Sequence, residues 1–271
     1  MKLGLCQMPV TASQQENHAA MRRYVRDAAA AGCDLVVLPE MWCCPYDNAA
    51  FADYAEPQGG RTWRLLRDTA RESGVWIVAG SVPERDGDAI YNTCYVFEPN
   101  GTQRAKHRKV HLFDIDVAGG QRFMESETLT AGNSVTTFET PWGVVGVCVC
   151  FDFRFTELSE LMVLAGAKLV VVPAAFNMTT GPAHWELLFR QRAVDGQCYT
   201  VGTSPARDTA AGYVAWGHSI VCDPWGTVVR QCDETPQTVV TTLDMERVEA
   251  VRQQLPILSA RRTDVYELRR K

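Results

Sequence analysis

The sequence predicts an α/β protein arranged as a four-layer α-β-β-α sandwich, internally duplicated and folded as one unit over 1–271. Three observations carry that expectation. The 271 residues are 46% hydrophobic and 22% charged, which suits a globular chain and excludes disorder, collagen-like repeats and coiled coils. Short apolar runs rich in β-branched residues alternate with helix-like segments, as in sheets covered by helices. Finally, the stretch from Ala31 to Glu40 returns as Ala165 to Ala174. Two more echoes follow in the same order, 75–81 with 198–204 and 98–102 with 223–227, all at offsets of 123 to 134 residues. Chance likeness among hydrophobic strands is the blander alternative to duplication. Two halves that each cover one sheet face with helices can bury the other faces only against each other.

Each copy reads as helix, buried strand, helix, buried strand and hairpin. Ser13-x-x-Glu16 fits a capping box that opens the first helix, and Gly32 and Gly74 fit helix stops. Leu35 to Leu38 is a β-branched run of the doubly covered kind, ending at Pro39-Glu40. The Pro-x-Gly steps at 99–101 and 224–226 are turn signals inside the hairpins. In the second half a strand is expected within Gly143 to Phe155, turning toward a helix at Cys150. Alternation puts Cys148 and Cys150 on one of its faces, Asp152 and Arg154 mark its exit from the core, and a helix follows near Thr156-Glu157. The stretch 246–271 is a basic tail, either a solvated surface or a segment packed across a dimer interface.

With 27 basic and 32 acidic residues the net charge is -5, which lacks the basic footprint that nucleic acid requires. The first apolar stretch is broken at Gln7, short of a signal peptide's core, and no run approaches the ~20 residues of a membrane span. A cytoplasmic protein with reduced thiols is therefore expected, with ten cysteines that are not a disulfide framework.

No G-x-S-x-G, G-x-x-x-x-G-K-[ST] or G-x-G-x-x-G motif is present, which weakens serine-hydrolase and nucleotide readings. Three positions stand out for chemistry. Glu40 leaves a buried strand, where partial desolvation would raise its pKa toward a general-base range, and its counterpart in the other half is Ala174. Cys150 lies where a strand turns toward a helix, an elbow at which backbone N–H groups could stabilise an oxyanion. Within Lys106 to His111, one lysine carried beside that cysteine would favour thiolate over thiol. The alternatives are a surface glutamate, a cysteine acting as a small hydrophobe, which better describes Cys148, and a solvated basic run. Cys43-Cys44, Cys148-x-Cys150 and the five histidines lack zinc-ligand spacing, so no metal and no cofactor are expected. A thiol redox or metal-binding protein built on the cysteine excess is the reading from a different class.

A glutamate after a strand, then a lysine, then a cysteine at an elbow resembles the nitrilase, or carbon–nitrogen hydrolase, superfamily over essentially the whole chain. The matching stretches are Leu38 to Trp42, His107 to Phe113 and Cys150 to Phe155. Phe113 to Val117, Glu125 to Leu129, Ala175 to Glu186, Ser204 to Asp208 and Gln253 to Leu258 are similar to the omega-amidase branch, with the branch acting on deaminated glutathione as its rival. The resemblance implies a cysteine amidase for the terminal amide of 2-oxoglutaramate and 2-oxosuccinamate, with Cys150 as nucleophile, Glu40 as general base and acid, and Lys109 as oxyanion stabiliser. Glu125 is the second glutamate, with Glu127 a confusable neighbour, and the Phe151 N–H joins Lys109 at the oxyanion. Thr156 departs from the proline many members carry there. For an anionic amide, Arg154 is the first candidate to grip the remote carboxylate, against an ion pair with Asp152, and Tyr46 and Phe176 could wall the pocket. A homodimer, with helices near the elbow at its interface, is implied as well.

Overall fold

The structure, a computed structural model, describes residues 1–271. In chain order the elements are β1 (Lys2–Gln7), α1 (Gln14–Ala30), β2 (Leu35–Val37), α2 (Asn48–Tyr54), α3 (Arg61–Ser73), β3 (Trp76–Val78), β4 (Val82–Asp86), β5 (Ala89–Phe97), β6 (Gln103–Arg108), β7 (Asp114–Asp116), β8 (Arg122–Met124), β9 (Thr136–Thr140) and β10 (Gly143–Val147). There follow α4 (Thr156–Leu164), β11 (Ala167–Pro173), α5 (Gly181–Gly196), β12 (Tyr199–Thr203), β13 (Ile220–Cys222), β14 (Val228–Gln231), β15 (Gln237–Thr242) and α6 (Glu246–Gln254).

The strands form two large sheets. One runs β15-β1-β2-β3-β5-β4 with β6 against β5, the other β14-β13-β12-β11-β10-β9, and β7 and β8 make a small separate hairpin. The duplication is visible in the pairing. The central strands β1-β2-β3 and β10-β11-β12 are parallel, and β3 and β12 each meet the next hairpin antiparallel. The two hairpin turns also repeat bond for bond: Glu98 N–H donates to the Thr102 carbonyl and Gly101 N–H to that of Glu98, while Asp223 and Gly226 do the same with Thr227 and Asp223, at 2.8–2.9 Å. Gly101 and Gly226 sit at φ 86° and 81°, the left-handed region that this turn needs and that favours glycine.

Apolar burial joins the halves. Leu3, Leu5, Leu35, Val37 and Val78 face Val145, Val147, Leu169, Val171 and Val201 in a single buried cluster. Strand alternation sends Cys6, Val36, Leu38 and Ile77 the other way, against Met21 and Val25 of α1 and Leu66 of α3. Each large aliphatic side chain buried in this way contributes roughly 1.5–3 kcal/mol.

The local expectations are met unevenly. Ser13 caps α1 by accepting from Glu16 N–H at 3.3 Å, but Glu16 accepts from Thr11 Oγ1 instead of reaching back to Ser13, so half of the capping box is present. Gly74 caps α3 at φ 64°, as its spacing suggests. The strand stops at Val147, the turn expected at Cys150 is a 3-10 turn over Cys150–Arg154, and α4 begins at Thr156 as expected. The basic tail is not uniform: α6 occupies its first third, with Val248 and Val251 buried, and the remainder is largely exposed. No helix is long and apolar enough to cross a membrane.

Candidate active site

Glu40 lies three residues beyond the end of β2, after Leu38 and Pro39. Gly80, at φ 61°, lets the chain after β3 press against it, since a Cβ there would lie 2.0 Å from the Pro39 carbonyl oxygen. Met41 N–H donates to Ser81 Oγ at 3.1 Å and Trp42 Nε1 to the Ala79 carbonyl at 2.8 Å, so the segment bearing Glu40 is held on both sides. The carboxylate itself is buried. Its Oε1 accepts from Lys109 Nζ and Asn92 Nδ2, both at 2.9 Å, and its Oε2 from Ala175 N–H at 2.8 Å. Ala175 is next to Ala174, Glu40's counterpart, so the half without the acid supplies an N–H to hold it.

Lys109 leaves β6 fully buried between two carboxylates. Its Nζ lies 2.9 Å from Glu40 Oε1 and 2.9 Å from Glu125 Oε2. Glu125 Oε2 also accepts from Phe113 N–H at 2.7 Å, and Tyr46 OH donates to Glu125 Oε1 at 2.6 Å while lying 3.2 Å from Glu40 Oε1. Glu127 is exposed and meets Arg122, so Glu125 is the glutamate that reaches Lys109.

Cys150 opens the 3-10 turn at φ 48°, a strained position for a residue with a Cβ, and such positions concentrate at active sites. Its thiol lies close enough to the Glu40 carboxylate and to the Ala175 N–H for both to act on its pKa. Phe151 N–H belongs to the first turn, whose N–H groups have no partner within the helix itself.

Burial raises the Glu40 pKa; Lys109 pulls it down and Glu125 pushes it up. Burial lowers that of Lys109, but the carboxylates of Glu125 and Glu40 more than reverse it, so the ammonium is held charged above its ordinary value. The Cys150 thiol is pushed well up by burial and then by Glu40, and Lys109 offsets only part of this. Lys109 does act in the thiolate's favour, as expected, but burial and Glu40 outweigh it, so the cysteine rests as a thiol and needs a base, for which Glu40 is the neighbouring group. Tyr46 and Tyr213 are raised by burial and by the nearby carboxylates, so both remain hydrogen-bond donors.

The alternative for Arg154, an ion pair with Asp152, does not form. Asp152 is taken by His107 and His111, whereas Arg154 Nη1 lies 3.1 Å from His184 Nδ1 and no carboxylate lies within ion-pair distance of the guanidinium. Its centre lies 4.7 Å from the Phe176 ring centroid and 5.8 Å from that of Phe151. A cavity of about 610 Å3 is lined by Glu40, Tyr46, Phe123, Ala175 and Tyr213 among others. Tyr46 is on its wall as expected. Phe176 does not line it, and neither do Arg154 and Cys150: Phe176 is buried edge-on against Trp185, ring centroids 5.0 Å apart, beneath Arg154.

Sequence reasoning missed Asn92, the Ala175 N–H, Tyr213 and His184. Asn92 left a signal, a buried-strand position occupied by a polar group that must find a partner. Tyr213, which stacks on Tyr46 with centroids 4.4 Å apart and donates to the Ala175 carbonyl, comes from an irregular loop with no periodic pattern. All ten cysteines are buried and free, and no three His, Cys, Asp or Glu side chains converge to hold a metal ion. The redox and metal alternative thus lacks both an accessible thiol pair and a donor set.

The omega-amidase NIT2 of Danio rerio is 48% identical over 267 residues, 98% of this chain and 96% of its own length, and that of Homo sapiens is 44% identical over 270 residues, covering 100% and 98%. The crystal structure of Saccharomyces cerevisiae Nit3, a member of branch 10 of the nitrilase superfamily, aligns with a TM-score of 0.89 at 37% identity, covering 97% of this chain and 96% of that one. The carbon-nitrogen hydrolase profile matches residues 2–253, and the chain belongs to the carbon-nitrogen hydrolase family.

Proposed function

We propose that the protein is an omega-amidase that hydrolyses the terminal amide of small 2-oxo dicarboxylate monoamides, 2-oxoglutaramate and 2-oxosuccinamate, to the 2-oxo acid and ammonia. The observation that carries this is a buried ammonium, Lys109, bonded to two carboxylates, Glu40 and Glu125, with the buried thiol of Cys150 close enough to Glu40 for each to shift the other's pKa. An amide needs a strong nucleophile, charge stabilisation at its oxygen and an acid for its nitrogen, and these groups supply all three.

Glu40 takes the thiol proton as Cys150 sulfur bonds to the carbonyl carbon. Lys109 Nζ and Phe151 N–H receive the oxyanion, each such donor being worth on the order of 100- to 1,000-fold in rate. Glu40 then gives its proton to nitrogen, the C–N bond breaks and ammonia leaves a thioester on Cys150. Water surrenders a proton to Glu40 and attacks the thioester; the C–S bond breaks and the proton returns to sulfur. Glu125 and Tyr46 keep Lys109 aimed throughout. Arg154, without a carboxylate of its own, is the group for the substrate's remote carboxylate, and a local guanidinium reconciles an anionic substrate with a net charge of -5.

The full-length relatives described as omega-amidases support the substrate class. The cavity favours a second reading, because about 610 Å3 also has room for a longer amide such as deaminated glutathione. Ammonia release across a panel containing both substrates separates the two by kcat/KM. Cys150→Ala should abolish release while leaving the protein folded, and persistent activity would refute the nucleophile.

The same proposal places the enzyme in the cytosol, with its thiols reduced, and as a homodimer. Leu164, Leu187 and Val194 are exposed on α4 and α5, on the helices beside the elbow, and suit such an interface. Sedimentation showing only monomer would overturn the dimer.

A further inference from the structure

Lys109 and Cys150 come from different halves of the duplicated fold, so something must set them against each other. Asp152, two residues beyond Cys150 and fully buried, is the most heavily engaged side chain at that junction. Its Oδ2 accepts from Val149 N–H at 3.1 Å and from His107 Nε2 at 2.9 Å. Its Oδ1 accepts from Val110 N–H at 3.1 Å, from His111 N–H at 2.8 Å and from His111 Nδ1 at 2.9 Å. The donors beyond the elbow are therefore residues on either side of Lys109. Asp152 N–H donates back to the Val149 carbonyl at 3.0 Å, which closes a ring around Cys150 and fixes the elbow that places it at φ 48°. His107 extends the clamp to Thr136 of β9, its Nδ1 lying 2.9 Å from Thr136 Oγ1, and His111 stacks on Phe155 with ring centroids 3.6 Å apart.

Given Cys150 and Lys109 as the reacting pair proposed above, we propose that Asp152 is the positioning residue that holds them in register, by tying the chain on both sides of Lys109 to the cysteine elbow. The carboxylate fits this task because it is acceptor-only and meets five donors at once. An asparagine in its place would turn a donor toward a donor on one side or the other. Asp152 touches no substrate; it acts through the distance between sulfur and the lysine ammonium, and an error of about 1 Å there costs about 100-fold in rate.

Two readouts on Asp152→Asn separate positioning from a merely structural role. The first is kcat per titrated Cys150, with KM, on 2-oxoglutaramate. The second is the rate at which iodoacetamide alkylates Cys150, a step in which sulfur bonds to the methylene carbon, iodide leaves and Glu40 takes the thiol proton. Per-site kcat should fall about 100-fold with KM within about threefold, and alkylation should slow in parallel. A structural role alone would reduce the titrated fraction and leave both per-site rates unchanged, which would overturn the proposal. If Asp152→Asn does not fold, His111→Ala, which removes one of the five donors and keeps the backbone bonds, should still lower per-site kcat and the alkylation rate about fivefold; no change in either would be equally fatal. A wild-type chain that releases ammonia from no amide would sink the proposed function and leave the alkylation rates to decide this point.

Discussion

Glu40 illustrates how a single side chain is placed for chemistry against the interest of stability. Because burial raises its pKa, folding disfavours its ionised form. The cost is present at neutral pH, sets in as pH rises through the unfolded value of about 4.3, and is absent below it. Glu40→Gln should lose activity by at least about 100-fold, which ammonia release by the purified variant checks, and it leaves the buried Lys109 ammonium with Glu125 as its one carboxylate partner. The same raised pKa puts the acid limb of kcat/KM above the ordinary value of 4.5, since Glu40 must be ionised to accept the thiol proton. A limb below 4.5 would point to another base. At Arg154, replacement by Leu removes the guanidinium and should raise KM for 2-oxoglutaramate by roughly 10- to 100-fold with kcat far less affected, as expected for a charge-assisted contact worth about 1.5–3 kcal/mol.

Single elements hold these groups through close backbone contacts. Gly80 is the clearest case, because a Cβ would be driven into the Pro39 carbonyl and its φ of 61° is unfavourable to other residues. Gly80→Ala should cost about 1–3 kcal/mol, read as a lower urea midpoint, and should reduce kcat because the displaced strand end carries Glu40. The strand before the elbow is shorter than the sequence suggests. β10 ends at Val147 because Asp152 and its partners draw the chain into a turn, and apolar alternation carries no record of a hydrogen bond made by a residue's own carboxylate.

Over the whole molecule, each half closes on the other through an edge strand. β9, which follows the first hairpin, pairs antiparallel with β10, and β15, which follows the second, pairs antiparallel with β1 from Lys2–Thr242 to Gln7–Gln237. The C-terminal strand thus completes the first sheet. A chain ending at Gln254 should fold, whereas one ending at Pro236 leaves β1 an open edge above an apolar core and should aggregate. Circular dichroism and size-exclusion chromatography of the two truncations check this.

The sequence by itself carried the sandwich and the duplication and marked Glu40 and Cys150 as candidates, because apolar periodicity, turn chemistry and residue order are local and survive in one dimension; Lys109 was singled out from Lys106 to His111 only by the resemblance to the carbon–nitrogen hydrolases. Glu125 was legible only alongside Glu127. What the tertiary structure decided was everything that depends on approach between distant segments: Glu125 rather than Glu127 beside Lys109, Ala175 and Asn92 on Glu40, Phe176 in the core instead of the wall, and Arg154 free of Asp152. Hydrogen-bond partners, burial and hence pKa are properties of three-dimensional neighbourhoods. The net direction of the Cys150 shift, upward despite the opposing pull of Lys109, follows from desolvation that no spacing of residues records.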